Sequence, residues 1–108
     1  MAGQVAPYDA LADDTRRRIL DMLRSRTLNA GEIARRFPHI SRPAVSKHLA
    51  VLRRSRLVVV HRAGREMRYS LNAAPLREVN SWIKQYEVFW DREPRAFRSY
   101  GENEEREK

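Results

Sequence analysis

The sequence predicts a mainly α-helical fold with one small β-hairpin, on three observations. Apolar residues recur at helical spacing in four segments. Capping residues and chain breakers separate those segments. The period changes once, after Arg56, to two short β-branched runs around Gly64. A chain of 108 residues has room for one domain with one modest core.

Tyr8 to Arg26 reads as helix, with Leu11 in a short preceding turn. Asp13 and Asp14 suit its N-terminus, and Ile19, Leu20, Met22 and Leu23 supply its buried side. Asn29 and Glu32 have capping-box spacing, so a second helix runs from Ala30 to about Phe37. Pro38 stops it, and Phe37 to Ile40 forms a turn. Ser41 caps a third helix that tolerates Pro43 in its first turn and ends near Ser55. Leu57 to Arg62 reads as a strand, Ala63 to Glu66 as a turn, and Met67 to Leu71 as the returning strand. A last helix opens at Ala74 or Pro75 and runs to about Asp91, with Pro94 ending it.

The third helix is the most informative segment. Val45, Leu49 and Leu52 fall at i, i+4 and i+7, an apolar stripe that demands burial. Arg42, Ser46, Lys47, Arg53 and Arg54 lie off that stripe. Two helices joined by a tight turn, followed by a hairpin, describe a winged helix-turn-helix: a three-helix core, a two-stranded wing and a C-terminal dimerisation helix. Residues 1–94 are expected to form this unit, and residues 95–108 a C-terminal extension that is partly mobile.

Net charge is +8, and it is concentrated. Between Arg35 and Arg68 stand ten basic residues against one acidic residue, Glu66, a net of +9. That footprint points to a polyanion, and duplex DNA is the expected partner. An acidic protein partner and unspecific coating of DNA are the competing readings. The longest apolar run is Leu57 to Val60, so no membrane partner is expected. With no cysteine and no signal-peptide pattern, the expected location is the cytoplasm, on the nucleoid. No Gly-rich phosphate loop, nucleophile elbow or apolar carboxylate pair appears, so no enzymatic activity and no cofactor are expected.

The last helix carries Leu76, Val79, Trp82, Ile83, Tyr86, Phe89 and Trp90 at helical spacing. A core this small can hardly bury so wide a stripe. A two-fold homodimer is therefore expected, with these residues and Leu11 at the interface.

Several stretches together resemble the ArsR family of bacterial and archaeal transcription regulators. They are Leu11-Ala12-Asp13-Asp14-Thr15-Arg16-Arg17-Arg18-Ile19-Leu20, Gly31-Glu32-Ile33-Ala34 and Ser41-Arg42-Pro43-Ala44-Val45-Ser46-Lys47-His48-Leu49. Leu52, Leu57-Val58 and the Gly64-Arg65 turn extend the likeness. The resemblance implies a dimeric winged-helix repressor that binds a short palindrome in its own promoter region. Family members often have Pro in place of Asp14 and Gly in place of Arg56. Metal-sensing members use cysteine pairs or Asp/His sets. Here the histidines are His39, His48 and His61, none paired at i, i+4, so no metal site is expected; the helix of Trp82, Tyr86 and Trp90 instead resembles that of a metal-free branch.

Arg42, Ser46 and Lys47 are the candidates for base edges, with phosphate contact equally open for Arg42 and Lys47. Ser41 is a cap whose N–H suits a phosphate, and His48 suits either packing or DNA contact. Arg53, Arg54 and Arg56 suit phosphates. Arg65 is the foremost wing contact, with Arg62 and Arg68 either touching phosphates or solvated. Arg16, Arg17 and Arg18 are expected to pair with Asp13, Asp14 and Asp21 at the surface.

Overall fold

A computed structural model describes residues 3–92. The expected extension at residues 95–108 and the stop at Pro94 lie outside the described residues. The elements run α1 (Pro7–Ala10), α2 (Asp14–Met22), β1 (Leu28–Asn29), α3 (Ala30–Arg35), α4 (Arg42–Arg54), β2 (Val58–Ala63), β3 (Glu66–Leu71), α5 (Leu76–Lys84) and α6 (Glu87–Arg92). The winged helix-turn-helix is therefore present, with three differences in its parts.

The first difference is at the N-terminus, where two helices replace one continuous helix. Asp13 adopts an extended backbone and its carboxylate accepts from Arg16 N–H, so α2 begins afresh at Asp14. The second is a third strand. Leu28 and Asn29 pair antiparallel with Tyr69 and Arg68, giving the sheet order β1-β3-β2. Two residues show no alternation, and their pairing partner lies about forty positions away in sequence. The third is a break in the last helix. At Gln85 and Tyr86 the N–H groups bond to Trp82 and Ile83, three residues back, and α5 yields to α6.

The local signals elsewhere act as the sequence indicates. Asn29 and Glu32 form a reciprocal capping box, with bonds of 2.8 and 2.9 Å. Ser41 Oγ accepts from Ala44 N–H. Ala63 faces Glu66 across a two-residue turn, and Gly64 has φ +66° at the first central position, where a type II′ turn requires glycine.

The core gathers Ala10, Ile19, Leu20, Leu23, Leu28, Ile33, Phe37, Val45, Leu49, Leu52, Leu57 and Val58. Tyr69, Leu71, Leu76 and Leu11 pack partly against it. Each helix of the helix-turn-helix contributes its apolar edge, and β2 closes the cluster beneath α4. No buried side-chain nitrogen or oxygen among the described residues lacks a partner.

The end of α4 is tightly specified. Arg56 N–H bonds to Arg53 C=O and Leu57 N–H to Leu52 C=O, at 3.0 and 3.1 Å, which together make a Schellman motif. Leu52 and Leu57 are both fully buried beside it. Val5 N–H takes the Arg54 carbonyl, and Asn72 takes those of Arg56 and Leu57. Arg56 holds φ +64°, the left-handed conformation that glycine adopts without cost.

Two outcomes follow for stability. Arg56→Gly is expected to stabilise the fold by about 0.5–1 kcal/mol, raising the thermal midpoint by several degrees in a calorimetric melt. Leu52→Ala, which empties the centre of the core, is expected to cost about 2–5 kcal/mol in urea unfolding.

Candidate nucleic-acid interface

The candidate interface begins with how α4 is seated. Val45, Leu49 and Leu52 are buried on one side. Arg42, Pro43, Ser46, Lys47, Ala50, Arg53 and Arg54 are all exposed. At 3.6 residues per turn these seven positions fall on one continuous arc of about 140°. The exposed arc carries four cations and one hydroxyl, with small Ala50 at its middle. Such a face offers donors to base edges and charge to flanking phosphates.

Arg42 Nη2 lies 4.0 Å from where a Cβ on Gly31 would stand, so its guanidinium reaches the first turn of α3. Arg53 and Arg54 occupy the last turn of the helix, and exposed Arg56 extends the positive charge past its terminus. The hairpin then places Arg65 at its tip, next to Gly64. Arg62 pairs in register with Met67 near that tip and is exposed.

Two candidate residues are drawn elsewhere. His48 leaves the exposed arc and faces α2, with its side chain only 21 % exposed. Its Nδ1 lies 3.3 Å from Arg16 Nη1 and 3.6 Å from Asp13 Oδ2. Between packing and DNA contact, its surroundings are those of packing. Arg68 is also withdrawn. Its Nε donates to Thr27 Oγ1 at 2.9 Å, its Nη2 to the Thr27 carbonyl at 2.8 Å, and its Nη1 to Glu66 Oε2 at 2.7 Å. Each of its three nitrogens holds an acceptor within the chain, and its side chain is 25 % exposed.

The arginines of α2 divide their work. Arg17 and Arg18 meet Asp14 at 3.6 and 3.0 Å, as surface pairs that contribute little to stability. Arg16 does not pair at the surface. Its Nε and Nη2 donate to the carbonyls of Ala10 and Asp9, so it ties the end of α1 to α2 and, through His48, to α4. The Asp13 carboxyl is held below its ordinary value, first by the Arg16 backbone N–H. Burial opposes that shift, and the neighbouring His48 and Arg16 charges reinforce it.

The second surface is apolar. Trp82 is 50 % exposed, Phe89 65 % and Trp90 53 %, with Tyr8, Tyr86 and Val88 also open. Tyr8, Trp82, Tyr86 and Phe89 form a run of ring contacts with centroids 5.2 to 6.2 Å apart. Val79 and Ile83 are half-buried, and α5 has no buried residue. Tyr8 Oη donates to the Glu78 carbonyl, joining α1 to this face. Of the other expected interface residues, Leu11 and Leu76 pack partly against the core of their own chain.

Among the described residues no helix is long and apolar enough to cross a membrane. No three His, Asp or Glu side chains among them gather closely enough to hold a metal ion.

Known proteins share this arrangement. The helix-turn-helix domain family matches residues 11–61. The transcriptional repressor SdpR of Bacillus subtilis (strain 168) is 38 % identical over 79 residues, which cover 73 % of this chain and 87 % of that protein. The HTH-type transcriptional regulator Rv2034 of Mycobacterium tuberculosis is 42 % identical over 85 residues, covering 79 % of this chain and 76 % of its own. Among solved structures, an ArsR-like transcriptional regulator from Rhodococcus sp. RHA1 superposes with a TM-score of 0.64 at 34 % identity. It covers 86 % of this chain and 87 % of its own. The sequence motifs, the seated helix and hairpin, and these relatives agree: the chain belongs to the ArsR family of winged helix-turn-helix, DNA-binding transcriptional regulators.

Proposed function

We propose that this protein represses transcription as a homodimer that reads a two-fold symmetric duplex. The carrying observation is the exposed cationic arc of α4, fixed in direction by the buried stripe behind it. In this reading α4 enters the major groove. Arg42, Ser46 and Lys47 meet base edges, and the Ser41 N–H, Arg53, Arg54 and Arg56 meet phosphates. Arg65 and Arg62 reach the backbone beside the adjoining groove. His48 and Arg68 take no part as DNA ligands.

The homodimer rests on the aromatic face. Large exposed rings concentrated on one side of α5 and α6 make a patch that a second copy would bury. Two copies related by a two-fold axis present two α4 helices, which suits two half-sites about one helical turn apart. The name of the Bacillus relative, a transcriptional repressor, supports repression as the outcome. Residues 1–94 form the binding and dimerisation unit, with 95–108 appended, and the protein works in the cytoplasm on chromosomal DNA.

Selection of bound duplexes from a random pool tests specificity, symmetry and spacing together. A palindrome with half-sites about 10 base pairs apart, centre to centre, is the expected product. Recovery of unrelated sequences would show that α4 does not read bases. On the selected site, Arg42→Ala and Ser46→Ala are expected to relax sequence choice. Arg65→Ala is expected to weaken all duplexes alike and to lower the salt slope by about one. Trp82→Ser with Phe89→Ser is expected to yield monomers in sedimentation and to abolish preference for the symmetric site.

A further inference from the structure

Glu66 is out of place by charge. It is the sole acidic residue between Arg35 and Arg68, and it directly follows Arg65 at the hairpin turn. A carboxylate at the edge of a surface that meets phosphates opposes binding through simple repulsion. Its contacts give it another role. Glu66 Oε1 accepts from Asn29 Nδ2 at 2.7 Å, and Oε2 accepts from Arg68 Nη1 at 2.7 Å. Asn29 is the capping residue of α3, and its cap partner Glu32 lies 3.7 Å from Arg68 Nη2. Arg68 also holds Thr27 by both side chain and backbone.

The result is a closed ring of polar side chains, Asn29 to Glu66 to Arg68 to Glu32 and back to Asn29. It joins the far strand of the hairpin to the first turn of the first helix of the helix-turn-helix. The backbone pairing of Asn29 with Arg68 lies within the same ring. Within the ring the Arg68 side chain is 25 % exposed and that of Glu66 49 %. Asn29 and Arg68 also hold the Glu66 carboxyl below the ordinary glutamate value, by their hydrogen bonds and the arginine charge.

Elsewhere the hairpin has little to fix its pitch. Its outer half, from His61 to Met67, is exposed on every residue. A two-stranded ribbon of that kind twists and bends readily. The base of the ribbon is anchored in the core at Val58, and its outer half is held at β3 by the backbone pairing of Asn29 with Arg68 together with the ring.

We infer that Glu66 and Arg68 are positioning residues. They set the angle of the hairpin against α3 so that Arg65 and α4 engage one duplex together. The inference rests on the proposed reading in which the hairpin touches DNA. In it Arg68 contributes its planar fork and not merely its charge, and Glu66 increases DNA affinity although it adds negative charge.

The sign of one substitution separates this from plain electrostatics. Binding is measured by fluorescence anisotropy with a labelled random-sequence duplex of about 30 base pairs, from about 50 to 200 mM salt. Circular dichroism melts verify that each variant is folded. Glu66→Ala is expected to weaken binding about three- to tenfold and to flatten the salt slope by about one, because Arg65 loses its phosphate. Tighter binding by Glu66→Ala would overturn the proposal. Arg68→Lys keeps the charge but not the fork, and is expected to lose as much as Arg68→Ala. If the lysine variant bound like the parent, Arg68 would act as a charge alone and the proposal would fail. Should Glu66→Ala not fold, Arg68→Lys carries the test by itself.

Arg65→Ala distinguishes the two layers. If it flattens the slope while Glu66→Ala tightens binding, the hairpin touches DNA and only the positioning role is lost. If Arg65→Ala changes nothing, the hairpin reading fails and the positioning role falls with it. In the double variant, Arg65→Ala is expected to add nothing to Glu66→Ala, the non-additivity of residues acting on one contact.

Discussion

Burial of Val45, Leu49 and Leu52 along one edge of α4 is the constraint on which the rest depends. It fixes which way the helix faces, and thereby which residues can meet DNA. Because the stripe packs into the same cluster as Ile19, Ile33 and Leu57, the three-helix core and the start of the hairpin are set by one set of contacts. A change there moves the reading surface as a whole. This is why a modest core suffices: it orients one helix accurately and leaves the chemistry to that helix's other side.

Concentrating positive charge on one face carries a cost in self-repulsion. The fold meets it partly by turning some cations inward onto fixed acceptors. Arg16 rests on the carbonyls of Ala10 and Asp9, and Arg68 on Thr27, Glu66 and Glu32. These two guanidiniums act as internal ties. Among the described residues, Arg42, Lys47, Arg53, Arg54, Arg56, Arg62 and Arg65 stay exposed without such an acceptor. Arg56 illustrates the compromise, since it accepts a left-handed backbone while keeping a positive charge at the end of α4.

The apolar face follows a different logic. The rings of Tyr8, Trp82, Tyr86 and Phe89 contact one another, yet half or so of their surface stays open. Tyr8 reaches this face from α1, whose end is held by Arg16, which in turn touches His48 on α4. The apolar face and α4 are thus joined through a short series of direct contacts.

What the sequence determined by itself was local. The cap at Asp13, the capping box of Asn29 and Glu32, the cap at Ser41, the glycine turn at Gly64 and the stripe of α4 each involve residues within a few positions of one another. Their spacing therefore encodes them, and the winged helix-turn-helix is legible from them together. Tertiary structure decided what depends on distant partners. The strand at Leu28–Asn29 exists because β3 offers it an edge. The break between α5 and α6 has no proline or glycine to announce it. The destinations of His48 and Arg68 are set by Arg16 and Thr27, 32 and 41 positions away. In the sequence an arginine that grips a carbonyl and one that waits for a phosphate look the same; only the folded neighbourhood, by supplying or withholding an acceptor, tells them apart.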